Sequence, residues 1–216
     1  MKIYNLPAEI KGFIFDIDST LYTCAEYSFE QVDCQIREFA KLRKISVQQA
    51  RNIISEYRKD FAAKHNGQKT SLGNTLLNFG ISIEQSIEWR KKLLFPENFL
   101  QKNPELICEL KILSEKFKLI CVTNNPILPA RKTLQAIGVS DFFKNIVGLD
   151  TCFKSKPAKE PFLEALKILK LNANECVAVG DRYDLDIALP LEMGMGGIFV
   201  NGVEEVYQIS KICDSI

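Results

Sequence analysis

The chain has 216 residues, of which 46% are hydrophobic, so it can fill a substantial core. Its 28 basic and 27 acidic residues leave a net charge of +1, and the positive field typical of nucleic-acid-binding proteins is absent. Residues 1–11 hold no apolar stretch of signal-peptide length, and no segment has the roughly 20 apolar residues of a membrane span. We therefore expect a soluble cytoplasmic protein without nucleic-acid or membrane partners. The oligomeric state stays open.

The first predicted element is a short apolar run, residues 13–15, which we expect to form a buried strand. A helical pattern follows over residues 22–96. Apolar residues at three- and four-residue spacing predict helices near residues 29–39 and 47–61, and shorter helices at 72–79 and 83–94. Ser46 with Gln49, and Ser82 with Gln85, have the spacing of capping boxes, which places helix starts at both sites.

From Asn103 onward, helices and strands alternate. Asn103 and Pro104 predict the start of a helix that runs to about residue 116, and Gly138 ends a later one. The predicted strands cover residues 118–123, 146–148, 176–180 and 197–200; the predicted helices between them cover residues 128–137, 160–171 and 185–193. Continuous apolar strands separated by helices indicate a parallel sheet covered on both faces.

This order predicts an α/β protein with a Rossmann-like parallel sheet core and helices on both faces. The helical block at residues 22–96 interrupts that core between its first and second strands. We therefore expect a core domain formed by residues 1–21 and 97–216, with an inserted α-helical cap domain at residues 22–96. Most aromatic residues near or within the block, such as Tyr22, Tyr27, Tyr57 and Trp89, are expected in the cap core, although they could stack on a nucleotide base.

The cysteine pattern indicates buried thiols. Seven cysteines include no CxxC pair, and Cys108, Cys121 and Cys176 fall within apolar patterns, where free cysteine behaves as a small hydrophobe. With one histidine and no zinc-ligand spacing, we predict neither disulfides nor a zinc site.

Polar residues follow three of the predicted strands at the point where each strand ends. They are Asp16 and Asp18 after the first strand, Thr123, Asn124 and Asn125 after the second, and Gly180 and Asp181 after the strand at residues 176–180. The carboxyl ends of parallel strands share one edge of a sheet, so these groups are expected to meet there.

The chemistry of these groups indicates phosphoryl transfer. Asp16, Asp18 and Asp181 offer oxygen ligands, which suit Mg²⁺, and a cation would relieve the repulsion between neighbouring carboxylates. Thr123 and Asn124 add polar groups at the start of the helix predicted at residues 128–137, where an anion is favoured. Such a site needs one aspartate as nucleophile and another as acid and base.

Four motifs in order resemble the haloacid dehalogenase superfamily of aspartate-nucleophile hydrolases, and the resemblance runs over the whole chain. They are Phe15-Asp16-Ile17-Asp18-Ser19-Thr20-Leu21, Val122-Thr123-Asn124-Asn125, Lys156-Pro157 with Phe162, and Val179-Gly180-Asp181-Arg182-Tyr183-Asp184-Leu185-Asp186. Ser19 stands where the family most often has glycine.

The resemblance implies a role for each matching residue. Asp16 would attack phosphorus to give an aspartyl-phosphate, and Asp18 would protonate the leaving oxygen and then activate water. The backbone carbonyl of Asp18 would join Asp16 and Asp181 on Mg²⁺. Thr123 would bind the phosphoryl oxygens, and Lys156 would neutralise nucleophile and phosphate.

The last motif has two candidates for its second acidic position. The spacing from Asp181 to Asp186 resembles the commonest form of this motif in the family, so we choose Asp186, as outer-sphere support for Mg²⁺ or Lys156, and interpret Asp184 as a helix N-cap.

The resemblance also limits the class of reaction that we expect. A halide leaving group needs no protonation, so Asp18 favours a phosphatase over a dehalogenase, with a small phosphorylated metabolite as substrate under the cap. The substrate class, a sugar phosphate or a nucleoside monophosphate, stays open. Two alternatives also stay open: a phosphomutase, which keeps both aspartates, and a non-enzymatic protein that binds phosphate or another protein through the same fold.

Overall fold

The computed structural model describes residues 1–65, 67 and 70–213. The chain divides into two compact units. Met1–Ala25 and the chain from Phe95 onward form one, called the core unit, and Glu26–Leu94 form the other, called the helical unit. The expected domain boundaries, at residues 22 and 96, lie close to this division. The role of the helical unit as a cap stays a prediction.

Amphipathic helices build the helical unit around a small apolar core. Its helices are α1 (Ala25–Arg43), α2 (Val47–Lys64), α3 (Leu72–Asn78) and α4 (Ile83–Leu93). The buried residues of its core are Ile36, Phe39, Ala40, Ala50, Ile54, Leu76 and Ile81, and Trp89 packs against them. The ring of Tyr57 meets that of Phe79 edge-on, with centroids 5.4 Å apart. Two of the aromatic residues singled out in the sequence thus contribute to packing within this unit.

The predicted helix caps hold at both serines. The Ser46 hydroxyl accepts from the Gln49 amide, and the Gln49 side chain accepts from the Ser46 amide in return, so this capping box is complete. At Ser82 the hydroxyl accepts from the Gln85 amide at 3.2 Å. These bonds satisfy amides that a helix start otherwise leaves without partners.

The core unit contains a six-stranded sheet in the order β1-β6-β5-β2-β3-β4. Its strands are β1 (Lys2–Tyr4), β2 (Gly12–Phe15), β3 (Lys118–Val122), β4 (Ile146–Val147), β5 (Cys176–Gly180) and β6 (Gly196–Phe199). Strand β2 lies between β3 and β5, parallel to both, with Phe15 opposite Cys121 and Val179. The carboxyl ends of these three strands therefore share one edge of the sheet.

One strand departs from the predicted all-parallel sheet. Strand β1 pairs antiparallel with β6 at the end of the sheet. Because Lys2 and Ile3 are both exposed, β1 has no buried apolar run by which it could have been predicted. The fold class, an α/β sheet with helices, is as expected, but the sheet is mixed.

Helices connect the strands of the core unit. They are α5 (Pro104–Lys116), α6 (Ile127–Ala136), α7 (Leu149–Cys152), α8 (Lys159–Leu169), α9 (Ala188–Glu192), α10 (Val203–Val206) and α11 (Ile209–Cys213), with short 3-10 turns at Pro96–Asn98, Ser140–Phe142 and Ala173–Glu175. A π-helical turn, Tyr183–Ile187, precedes α9, where one continuous helix was predicted. Helix α8 packs Phe162, Ala165 and Leu169 against Ile14 and Ile120 of the sheet.

The cysteine prediction holds in part. Cys121 and Cys176 are buried in β3 and β5, as expected. The prediction for Cys108 is wrong, because its thiol is exposed: helix α5 buries Leu106, Leu110 and Leu113, which lie on a different face. Among the described residues, no helix is both long and apolar enough to cross a membrane.

Candidate active site

Asp16 lies directly after β2, with its side chain buried. Its amide donates to the Val179 carbonyl at 2.8 Å, so the residue continues the ladder to β5 and is held at the strand end. One carboxylate oxygen, Oδ1, accepts from the Lys156 ammonium at 2.6 Å. The other, Oδ2, lies 3.5 Å from the Thr20 hydroxyl. The predicted nucleophile is thus fixed between a cation and a neutral donor.

Lys156 is the buried cation of this edge, with only 5% of its surface exposed. Its Nζ lies 2.6 Å from Asp16 Oδ1 and 2.7 Å from Asp186 Oδ1. Burial by itself lowers the pKa of this lysine, but the two carboxylates outweigh it and hold the pKa above its ordinary value. Lys156 therefore stays protonated, and its role in neutralising nucleophile and phosphate stays a prediction.

An acidic cluster surrounds this cation. Asp16, Asp181 and Asp186 each place one carboxylate oxygen within 4.8 Å of the others. Burial raises the pKa of Asp16 well above its usual range, against the effect of Lys156, and burial together with Asp186 raises the pKa of Asp181 to about 6. Three carboxyl groups thus lie close together near one ammonium, and a bound cation would favour the ionised form of all three. The all-oxygen donor set of the cluster fits a hard divalent cation such as Mg²⁺.

The structure distinguishes the two acidic candidates of the last motif. Asp186 is buried, and besides its bond to Lys156 its Oδ2 accepts from the Arg182 amide at 3.0 Å. Asp184 points to solvent, with its side chain 74% exposed and 3.8 Å from the Arg182 guanidinium. The N-cap interpretation of Asp184 is wrong, because this residue lies inside the π-helical turn and Arg182 precedes that turn.

Gly180 is required by the position of Asp186. A Cβ atom at Gly180 would come within 2.3 Å of the Asp186 Cβ and 2.6 Å of its Oδ2. The side chain of Asp186 thus packs directly over the glycine backbone, and the π-helical turn supplies the backbone path that brings it there. This close approach explains why glycine precedes Asp181 at the end of β5.

Asp18 lies outside the acidic cluster formed by the described residues. Its Oδ1 accepts from the Tyr22 hydroxyl at 2.6 Å, and its Oδ2 accepts from the Asn125 side chain at 2.9 Å and lies 3.3 Å from the Thr123 hydroxyl. The carboxylate is therefore held by neutral donors. Tyr22, expected among cap aromatics, belongs to the core unit and to this site.

The loop after β3 brings its polar residues to the same edge. The Thr123 amide donates to the Val147 carbonyl at 3.0 Å, and the Thr123 hydroxyl accepts from the Asn125 amide at 3.1 Å. Asn124 was predicted to bind substrate, but its side chain bonds the backbone of Lys156: Oδ1 accepts from the amide at 2.7 Å, and Nδ2 donates to the carbonyl at 3.4 Å. Its observed contacts position the lysine.

The start of α6 differs from the open anion site that we expected. The Ile127 amide donates to a carboxylate oxygen of Asp150, in α7, at 2.8 Å. A carboxylate of the chain itself therefore occupies the helix start. Of the polar groups in this loop, the Thr123 hydroxyl lies beside Asp18 and stays the predicted phosphoryl ligand.

Ser19 has a backbone conformation that favours glycine, with φ of +62°. The amides of Thr20 and Leu21 both donate to the Ile17 carbonyl, at 3.3 and 2.9 Å, so the chain turns sharply directly after Asp18. This turn explains why glycine is the family's usual residue at this position.

Comparisons with known proteins identify the family and the fold. Residues 10–194 match the model of the haloacid dehalogenase-like hydrolase family. A glyceraldehyde 3-phosphate phosphatase of Methanocaldococcus jannaschii is 28% identical over 199 residues, covering 86% of this chain and 82% of the relative. A phosphoglycolate phosphatase of Aquifex aeolicus is 29% identical over 181 residues, covering 82% of this chain and 78% of the relative. The crystal structure of a HAD phosphatase from Thermococcus onnurineus superposes with a TM-score of 0.66 at 23% identity, covering 94% of this chain and 98% of that one.

Proposed function

The chain belongs to the haloacid dehalogenase-like hydrolase family, and we propose that it is a Mg²⁺-dependent phosphatase that hydrolyses a small phosphorylated metabolite through an aspartyl-phosphate intermediate. One observation carries this proposal. Two carboxylates two residues apart have different partners: Asp16 accepts from a buried ammonium, whereas Asp18 accepts from the Tyr22 hydroxyl and the Asn125 side-chain amide. This difference suits a nucleophile and a separate acid and base.

The first half of the reaction transfers the phosphoryl group to the chain. An Asp16 oxygen forms a bond to phosphorus while the bond from phosphorus to the leaving oxygen breaks, and Asp18 gives its proton to that oxygen. The Thr123 hydroxyl donates to a phosphoryl oxygen. The Lys156 ammonium, already bonded to Asp16, offsets the charge of nucleophile and phosphate together.

The second half releases phosphate. Asp18, now ionised, takes a proton from water as that water attacks phosphorus, and the bond from Asp16 to phosphorus breaks. Asp16 and Asp181, with the Asp18 backbone carbonyl, would hold Mg²⁺, and Asp186 would support them through Lys156. When bound, the ion supplies charge neutralisation at the phosphoryl oxygens.

Two observations support the substrate class. Both phosphatase relatives carry names that specify small phosphorylated metabolites. Tyr57 and Trp89 pack within the helical unit, which weakens the case for base stacking and favours a sugar phosphate over a nucleoside monophosphate. The helical unit, as a cap, would exclude water and select the substrate.

The test is Mg²⁺-dependent phosphate release from para-nitrophenyl phosphate, followed by a panel of phosphorylated sugars and nucleosides. Asp16→Asn is expected to lower kcat on the order of 10³-fold or more, because it removes the nucleophile. Asp18→Asn is expected to cost about 10²- to 10⁴-fold while Mg²⁺ binding persists. The matched control is Asp184→Asn, an exposed aspartate of the π-helical turn, with activity within about twofold of wild type.

The assay has two contrary outcomes. Hydrolysis that is absent from the wild type, or unchanged in Asp16→Asn, would rule out the proposed phosphatase. Conversion of a sugar monophosphate to its isomer, without free phosphate, would favour a phosphomutase instead.

A further inference from the structure

We propose that Tyr22 is a positioning residue for the acid and base Asp18, an inference that rests on the proposed phosphatase function. Its hydroxyl donates to Asp18 Oδ1 at 2.6 Å, and the side chain is buried, with 4% of the residue exposed. The two residues also form an isolated β-bridge, so backbone as well as side chain joins them. Tyr22 directly follows the first motif, residues 15–21, and was expected among the cap aromatics rather than beside Asp18.

The Asp18 carboxylate is held from two directions. Its Oδ2 accepts from the Asn125 side-chain nitrogen Nδ2 at 2.9 Å and lies 3.3 Å from the Thr123 hydroxyl. Since Thr123 is the predicted phosphoryl ligand, Oδ2 is the oxygen on the phosphate side. Tyr22 holds the opposite oxygen, Oδ1, and so opposes rotation of the carboxylate away from the leaving group.

A tyrosine hydroxyl suits a carboxyl group that must gain and lose a proton. The Asn125 nitrogen only donates, whereas the Tyr22 hydroxyl can donate to a carboxylate and accept from a carboxylic acid. Tyr22 can therefore keep its hydrogen bond in both protonation states of Asp18. The orientation of the group then persists through both halves of the reaction.

The surroundings of Tyr22 hold it in place. The next residue, Thr23, accepts from the Val203 amide at 3.1 Å and so attaches this segment to the start of α10. Tyr22 also lines a cavity of about 340 Å³ together with Phe99, Tyr207 and other residues of the core unit. None of the predicted catalytic residues is part of the described lining, so we place this cavity outside the reaction site.

The experiment measures the hydrolysis of phenyl phosphate and of para-nitrophenyl phosphate by the wild type and by Tyr22→Phe, a change that removes only the hydroxyl. Phenolate is a poorer leaving group than para-nitrophenolate and needs protonation more. We expect kcat/KM to fall about tenfold for phenyl phosphate and less than about threefold for para-nitrophenyl phosphate, because misplacing the acid matters most for the poorer leaving group. A general structural defect would lower both values alike.

The matched control is Tyr207→Phe. Tyr207 lines the same cavity, and its hydroxyl accepts from the Asn103 side chain at 2.7 Å, far along the chain from Asp18. Like Tyr22→Phe, this variant loses one hydroxyl and one hydrogen bond. Its kcat/KM values for both aryl phosphates are expected to stay within about twofold of wild type. Circular dichroism and thermal melting check the fold of each variant.

A second measurement tests whether Tyr22 acts through Asp18. In an Asp18→Asn background, Tyr22→Phe is expected to change phenyl phosphate hydrolysis by less than about twofold, against about tenfold in the wild-type background. Equal losses for both aryl phosphates, or the same loss in both backgrounds, would overturn the inference. The Tyr22 variants are interpreted only if the wild type hydrolyses para-nitrophenyl phosphate and Asp16→Asn does not. If that condition is not met, the proposed function fails, and the inference about Tyr22 is a separate question.

Discussion

The two aspartates of the first motif differ through their immediate partners. Asp16 bonds the buried ammonium of Lys156, which opposes the rise in the pKa of Asp16 caused by burial. Asp18 is half-buried and bonds hydroxyl and amide donors. The ammonium favours the ionised form in which Asp16 would attack phosphorus, and the hydroxyl and amide donors would orient Asp18 for proton exchange.

Ser19, directly after Asp18, has a backbone conformation that is unfavourable for a residue with a side chain. A residue with a Cβ is disfavoured at φ of +62°, and Ser19→Gly is expected to stabilise the folded protein by up to about 1 kcal/mol. The greater freedom of glycine in the unfolded chain limits this gain. Urea unfolding measures the free energy of unfolding.

The control for this prediction is the same substitution in a helix. Ser55 is exposed within α2, where Ser55→Gly is expected to destabilise the protein by about 0.5 kcal/mol, since glycine is a poor helix former. A loss of stability in Ser19→Gly similar to that in Ser55→Gly would contradict the explanation based on φ.

Residue types at strand ends were predictable, but side-chain directions were not. The order of motifs identified Asp16, Asp181 and Lys156, which the structure brings to one edge. Asn124 and Asn125 are adjacent and identical in type, so only the loop backbone decides that one holds the Lys156 backbone and the other meets Asp18. Spacing in sequence carries no information on that choice.

Among the elements, burial determined what could be predicted. Strands β2, β3 and β5 are continuous apolar runs at the centre of the sheet, and their predicted bounds agree to within a residue or so with the observed ones. Strand β1 is largely exposed, and the π-helical turn Tyr183–Ile187 depends on a tertiary contact between Asp186 and Lys156. A pattern of apolar residues reports neither feature.

The junction of β5 and the π-helical turn is the element most sensitive to a small change. In Gly180→Ala the new methyl group would meet the Asp186 side chain at 2.3 Å, so the turn must shift and the Lys156 contact weaken. We expect the variant to lose about 1–3 kcal/mol of stability and at least tenfold in kcat/KM. Denaturant unfolding and the para-nitrophenyl phosphate assay measure the two effects.

Gly73 provides the control for this substitution. It lies within α3, where a Cβ atom would meet nothing closer than Ser71 Oγ at 3.8 Å. Gly73→Ala is expected to leave activity unchanged and to raise stability by up to about 1 kcal/mol through helix propensity. Full activity of Gly180→Ala would show that Asp186 tolerates displacement, against its proposed role.

At the scale of the whole molecule, each unit has an apolar core of its own. The helical unit buries Phe39 and Leu76 among its helices, and the core unit buries Ile14 and Phe162 around the sheet. All predicted site residues lie in the core unit. The inserted block therefore interrupts the sequence of the core unit without interrupting its sheet.

The two chain segments that flank the insertion meet within the core unit. The Cys24 thiol contacts the Phe99 carbonyl, with 3.9 Å between sulfur and oxygen. A short bridge can thus replace residues 26–94, and we expect a chain with about eight Gly and Ser residues there to fold. Circular dichroism and Mg²⁺-dependent thermal stabilisation measure whether the sheet and the acidic cluster persist.

The shortened chain also separates chemistry from substrate selection. If the helical unit is a cap that selects the metabolite, the shortened chain is expected to retain Mg²⁺-dependent hydrolysis of para-nitrophenyl phosphate, because Asp16, Asp18, Thr123, Lys156 and Asp181 all remain. Its preference for the best metabolite of the panel over this ester is expected to fall at least tenfold. The same chain with Asp16→Asn gives the background rate. An unchanged preference in the folded, shortened chain would assign substrate selection to the core unit and contradict the cap role.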